Sequence, residues 1–132
     1  ADHGWSIGAH TLTHARLGRL SPEKQLYEIE ASQKEIEDRL GRPCRFFAYP
    51  YGDAPRTARQ VVAECGMTGF GTVPGRVQPE SDRTCLPRVD IYDLVRPGNA
   101  SQWAWSGPSR AGLLSLHCRR SLARFLPRRS VA

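Results

Sequence analysis

Ser6-Ile7-Gly8-Ala9-His10-Thr11-Leu12-Thr13-His14 places two histidines four residues apart, directly after a short apolar run. If His10 and His14 share one helical turn, their rings leave the same face, because positions i and i+4 are neighbours there. Two imidazole nitrogens can then reach one metal ion at about 2.0–2.1 Å, the usual distance for zinc. His-x-x-x-His also arises by chance, and two histidines fill only half of a tetrahedral shell.

Around this pair the chain alternates short strands with helices. Trp5 to Ala9 reads as a buried strand that ends in a loop or single turn carrying the histidines. Ser21 to Gly41 is the clearest helix: Ser21 suits the N-cap, Pro22 the first turn, and Gly41 with Pro43 the stop. Leu26, Ile29, Ile36 and Leu40 are expected on its inner stripe, with Tyr27 beside them. Glu28, Glu30, Lys34, Glu35 and Asp38 are expected on the wet face. Arg45 to Tyr49 has strand composition and Pro50-Tyr51-Gly52-Asp53 breaks it. Asp53 is placed to cap a helix running to Cys65, with Gly66 after it. Met67 to Val73 and Cys85 to Ile91 read as two more short strands, Pro87 sitting at a start or an edge.

Strands alternating with helices imply βα units and a parallel sheet, so the fold class is α/β. In such folds sites gather where strands end. His10, His14, Pro50-Tyr51-Gly52 and Arg88 all fall near such ends, which is the reason to treat them as one site.

Bulk composition narrows the function classes. At 132 residues, 39% hydrophobic and 24% charged, the chain has the makings of one ordinary globular domain. No run approaches the roughly 18 apolar residues of a membrane span, and no signal peptide opens it. Ala1-Asp2-His3-Gly4 reads as the end of a helix whose body is absent, and the missing initiator Met fits a lost natural start, so the compartment stays open. Net charge is +6, yet six of the 19 bases are arginines between Arg110 and Arg129, where no acid occurs; the rest of the chain carries 13 bases against 13 acids. The basic character therefore belongs to the tail, and no specific nucleic-acid partner is expected. Cys44, Cys65, Cys85 and Cys118 lack Cys-x-x-Cys spacing and read as small apolar residues, with room for a single disulfide in an oxidising compartment.

Three segments together resemble the polysaccharide deacetylases, the NodB homology family (carbohydrate esterase family 4). His10-Thr11-Leu12-Thr13-His14 matches the family's His-[Ser/Thr]-x-x-His motif. Phe47-Ala48-Tyr49-Pro50-Tyr51-Gly52 is similar to its third motif, in a form found in a bacterial branch. Leu86-Pro87-Arg88-Val89-Asp90 resembles the Leu-Pro-Arg-hydrophobic-Asp segment that follows. The resemblance covers roughly residues 4–95 and implies a distorted (β/α) barrel that is partial here, its N-terminal strands missing. It implies a hydrolase that removes acetyl groups from N-acetylated polysaccharide or oligosaccharide by cleaving a carbon–nitrogen, non-peptide bond. It also implies a divalent metal, usually zinc, held by His10 and His14 with an aspartate. The backbone N–H of Tyr51 becomes an oxyanion donor, Pro50 and Tyr51 become substrate contacts, and Arg88 orients the base carboxylate.

The family's first motif, Thr-Phe-Asp-Asp, supplies the base and the third ligand upstream of the histidines, and nothing before His10 matches it. The chain as given is therefore expected to be incomplete, residues 1–95 forming a partial domain and residues 96–132 a basic segment. The alternative is a non-catalytic remnant or a carbohydrate-binding fragment of the same fold. For the late histidine general acid, Leu113-Leu114-Ser115-Leu116-His117 offers His117, although the stripe Leu114, Cys118, Leu122, Phe125 and Leu126 reads as one amphipathic helix with His117 on its flank. Trp103 and Trp105 suit core packing as well as sugar stacking. Contact of the arginine-rich tail with an anionic membrane ranks last among the readings. Family members are often extracytoplasmic or in the cell envelope.

Overall fold

The computed structural model describes residues 4–89. Its elements lie in one compact unit, within residues 4–72 and 77–88. They run α1 (Pro22–Leu40), β1 (Phe46–Ala48), α2 (Arg56–Glu64) and β2 (Thr68–Phe70), with 3-10 turns at Leu17–Arg19 and Pro50–Gly52. β1 and β2 are parallel, Phe47 facing Gly69. Single parallel bridges extend the pairing on both sides, Ala9 to Phe47 and Leu86 to Phe70. Four successive segments thus run the same way, and their C-terminal ends share one edge, as the α/β reading requires.

The outer segments are shorter than the sequence suggests. Trp5 to Ala9 is no buried strand: only Ala9 pairs, through its N–H to the Phe46 carbonyl and its carbonyl to the Ala48 N–H, while Trp5 is 73% exposed. Likewise, of Cys85 to Ile91 only Leu86 pairs within the described residues. The core is made by Ala9, Leu17, Ile29, Phe47, Tyr49, Ala58, Val62 and Met67. Phe47 and Tyr49 meet edge to face, their centroids 5.1 Å apart. The Tyr49 hydroxyl donates to the Thr84 carbonyl at 2.7 Å, and burial pushes its pKa well up.

α1 begins and ends where expected, with Gly41 in the left-handed region (φ 63°) donating to the Glu37 carbonyl. Ser21 occupies the cap position, but its hydroxyl makes no capping bond. Its inner face is rotated from the expected stripe. Ile29 of that stripe is buried and Ile36 packs against the core, but Gln25, Glu28 and Ser32 are buried beside them, while Leu26 and Leu40 are 39% and 37% exposed. The cause is the neighbouring loops, whose backbone groups need partners. Gln25 donates to the Leu20 carbonyl, Gln33 to the carbonyls of Cys44 and Cys65, and Glu37 accepts from the Cys44 N–H. Asp53 does not cap α2 either. Pro55 takes that position, and Asp53 turns back to accept from the Gly18 N–H at 2.9 Å.

Cys44 is buried, Cys65 and Cys85 are half-buried, and all three are free; burial pushes the thiol pKa of the latter two up. His3, Asp90, Trp103, Trp105, His117, Cys118, the arginine tail and the boundary at residue 95 lie outside the described residues. No helix among the described residues is long and apolar enough to cross a membrane.

Candidate functional site

The histidines follow Ala9, the last paired residue of its segment, and they are not helical. The turn between them is irregular, with Thr11 at φ 60° and His14 at φ 59°. What brings the rings together is long-range. His10 Nδ1 lies 2.6 Å from the Ala48 carbonyl at the end of β1. A carbonyl only accepts, so Nδ1 carries the hydrogen, and in a neutral ring the lone pair is then on Nε2. His14 Nδ1 lies 3.2 Å from the Tyr51 hydroxyl. The two imidazoles meet edge to face with centroids 4.8 Å apart, and both are exposed.

Tyr51 is the centre of the second loop. It too is left-handed (φ 60°, ψ 8°), its ring stands 4.8 Å from that of His14, and it is 53% exposed. The guanidinium carbon of Arg16 lies 3.9 Å from the centroid of the same ring, a cation–π contact. Pro50 is fully buried and seats this turn in the core. Gly52 follows at φ 68°, where a Cβ would run into the Thr72 side chain, so both backbone shape and space demand glycine.

Among the described residues, Thr11, His14 and Tyr51 are the non-glycine residues with positive φ. Each such residue costs on the order of 1–2 kcal/mol. All three sit in the two loops that bring the imidazoles together, and strain held in that way is characteristic of a binding site. The Asp53–Gly18 bond and the fully buried Leu17 pin the same loops from behind.

Glu28 is the residue that sequence reasoning put on the wrong side. It is only 8% exposed, and its carboxylate accepts from the Leu12 and Thr13 N–H groups (both 2.9 Å) and the Thr13 hydroxyl (2.7 Å). Its adjacency to inward-facing Ile29 was the one available signal. Arg88 is exposed and follows Leu86, at the same edge of the sheet as the histidines. No third histidine, cysteine or acid joins the pair among the described residues.

The chain is similar to known proteins. A family model described as polysaccharide deacetylase matches residues 1–70. The chain is 28% identical over 92 residues to YxkH of Bacillus subtilis (strain 168), whose name places it with the polysaccharide deacetylases; the match takes in 69% of this chain and 33% of that protein. It is 35% identical over 65 residues to chitin deacetylase 1 of Cryptococcus neoformans, covering 49% of this chain and 14% of that one. The structure of the Streptococcus pyogenes deacetylase PplD in complex with acetate aligns with a TM-score of 0.60 at 26% identity, covering 62% of this chain and 37% of PplD. This chain thus spans about a third of the length of YxkH. With the motif pair, the strand-end geometry and a family match over more than half its residues, the chain belongs to the polysaccharide deacetylase family.

Proposed function

We propose that this chain carries the histidine half of a metal-dependent carbohydrate deacetylase site. The reaction would hydrolyse the acetamide of an N-acetylated polysaccharide or oligosaccharide within a partial (β/α) barrel. The observation that carries the reading is the His10–His14 pair. Both Nδ1 atoms are engaged by β1 and its following turn, which leaves the two Nε2 atoms for a shared ion. Orientation of ligating histidines through their second nitrogen is the usual arrangement in zinc sites. Two neutral imidazoles suit zinc, and zinc, when bound, would polarise the acetamide carbonyl and lower the pKa of water.

The remaining roles fall to the chain itself. The left-handed Tyr51 presents its peptide at the strand end, where its N–H would face the negative charge that develops on the acetyl oxygen. The exposed Tyr51 ring would bear on the sugar, and Arg88 would hold the base carboxylate. That base and the third ligand are acids the described residues do not bring to the pair. A general acid is also needed for the leaving amine, and His117 is the residue offered for it.

The test is acetate release from N-acetylglucosamine oligomers by the zinc-loaded chain. The reading expects any release to depend on zinc and to be abolished by His10→Ala and by His14→Ala. Release untouched by both substitutions would overturn it, whereas zinc bound without release would mean that the histidine half stands without its acids.

A further inference from the structure

We infer that Glu28 is the positioning residue that presets the histidine loop. The inference rests on the metal-site reading above and deepens it. Glu28 projects from the second turn of α1, and its carboxylate reaches across 15 and 16 residues of sequence to the segment between the two ligands. One oxygen accepts both the Leu12 and Thr13 N–H groups and the other accepts the Thr13 hydroxyl. Those N–H groups face α1 in a turn that holds Thr11 left-handed at φ 60°, and Glu28, not the sheet ladder, supplies their acceptor.

A carboxylate that is 8% exposed needs such donors to stay buried, so the loop and the acid require each other. The consequence is rigidity. With Leu12 and Thr13 clamped, the separation and facing of the His10 and His14 backbones are fixed before any ion arrives. The ordering cost that a free loop would meet on binding is thereby already met within the fold. Glu28 touches neither imidazole, so it acts on the site through the loop alone.

Zinc titration of the full chain by calorimetry, combined with amide hydrogen exchange on the metal-free protein, tests this. Glu28→Ala should weaken zinc affinity about tenfold or more, the scale seen when supports of metal ligands are removed. It should also speed exchange at Leu12 and Thr13 while leaving Phe47 and Val62 protected. Glu28→Gln should stay within a few fold of wild type, because its amide oxygen still accepts both N–H groups and its NH2 can donate to a reversed Thr13 hydroxyl. Wild-type binding with undiminished affinity in Glu28→Ala would overturn the inference and leave the metal reading standing. Failure of the wild-type chain to bind zinc would overturn both. If Glu28→Ala does not fold, Thr13→Val decides: faster exchange at Leu12 with several-fold weaker zinc supports the clamp, and no change in either refutes it.

Discussion

Replacing Gly52 with alanine tests whether the turn that carries Tyr51 is held by backbone shape and by space, as the structure indicates. Gly52 sits at φ 68°, and a side chain in that region costs about 1–2 kcal/mol. The new Cβ would also collide with the Thr72 hydroxyl and lie 3.0 Å from both Thr72 Cβ and Cγ2. Rotating Thr72 moves its oxygen and methyl but not its Cβ, so relief is incomplete, and crowding of this kind costs about 1–3 kcal/mol. Together the substitution should destabilise the fold by about 2–5 kcal/mol, a large part of the roughly 5–15 kcal/mol a domain possesses. With a urea m-value of about 1–3 kcal/mol/M, the unfolding midpoint should fall by on the order of 1–3 M. A Thr72→Ala background separates the two causes. There the hydroxyl and methyl are gone and only the 3.0 Å approach to the remaining Cβ is left, so Gly52→Ala should cost little more than the dihedral share of about 1–2 kcal/mol. A loss under about 0.5 kcal/mol in the wild-type background, or the same loss in both backgrounds, would refute the reasoning.

Two further outcomes follow from single contacts. Tyr51→Phe removes the hydroxyl beside His14 Nδ1 but keeps the ring stack, so zinc affinity should drop several fold while urea stability changes by less than about 1 kcal/mol. Tyr49 is fully buried, and burial raises its native pKa above the unfolded value of about 10. Its contribution is thus complete below about pH 10 and is lost as pH rises from there towards the native value, because the unfolded chain sheds the proton first. Tyr49→Phe should flatten that alkaline fall in stability, and an equally steep fall in the variant would contradict the assignment.

The parts of the molecule legible in sequence are those set by neighbours along the chain. Ser21-Pro22 and Gly41-Pro43 mark the ends of α1 because Pro fits a first turn and Gly a left-handed stop, whatever surrounds them. Strand composition at Phe46–Ala48 and the break after Tyr49 were readable for the same reason, and parallel pairing then puts His10 and Tyr51 at one edge. What periodicity could not reveal depends on distant backbone. Gln25, Glu28 and Gln33 look solvated by type, yet each meets a peptide group of a loop that a period of 3.6 does not register. The helical reading of His10 and His14 failed likewise. Their facing is set by the Ala48 carbonyl and the Tyr51 hydroxyl, 38 and 37 residues away, through a turn with left-handed Thr11 and His14. Asp53 followed a cap rule that Pro55 pre-empted, which freed it to join the two loops through Gly18.

The central claim is that His10 and His14 share one ion, and the most direct measurement is a calorimetric zinc titration of the full chain beside His10→Ala and His14→Ala. The account predicts one zinc per chain in the wild type and loss of that binding in each variant, with the urea midpoint of the metal-free proteins little changed because both rings are exposed. Binding that survives either substitution undiminished, or a wild-type chain that takes up no zinc, would contradict it.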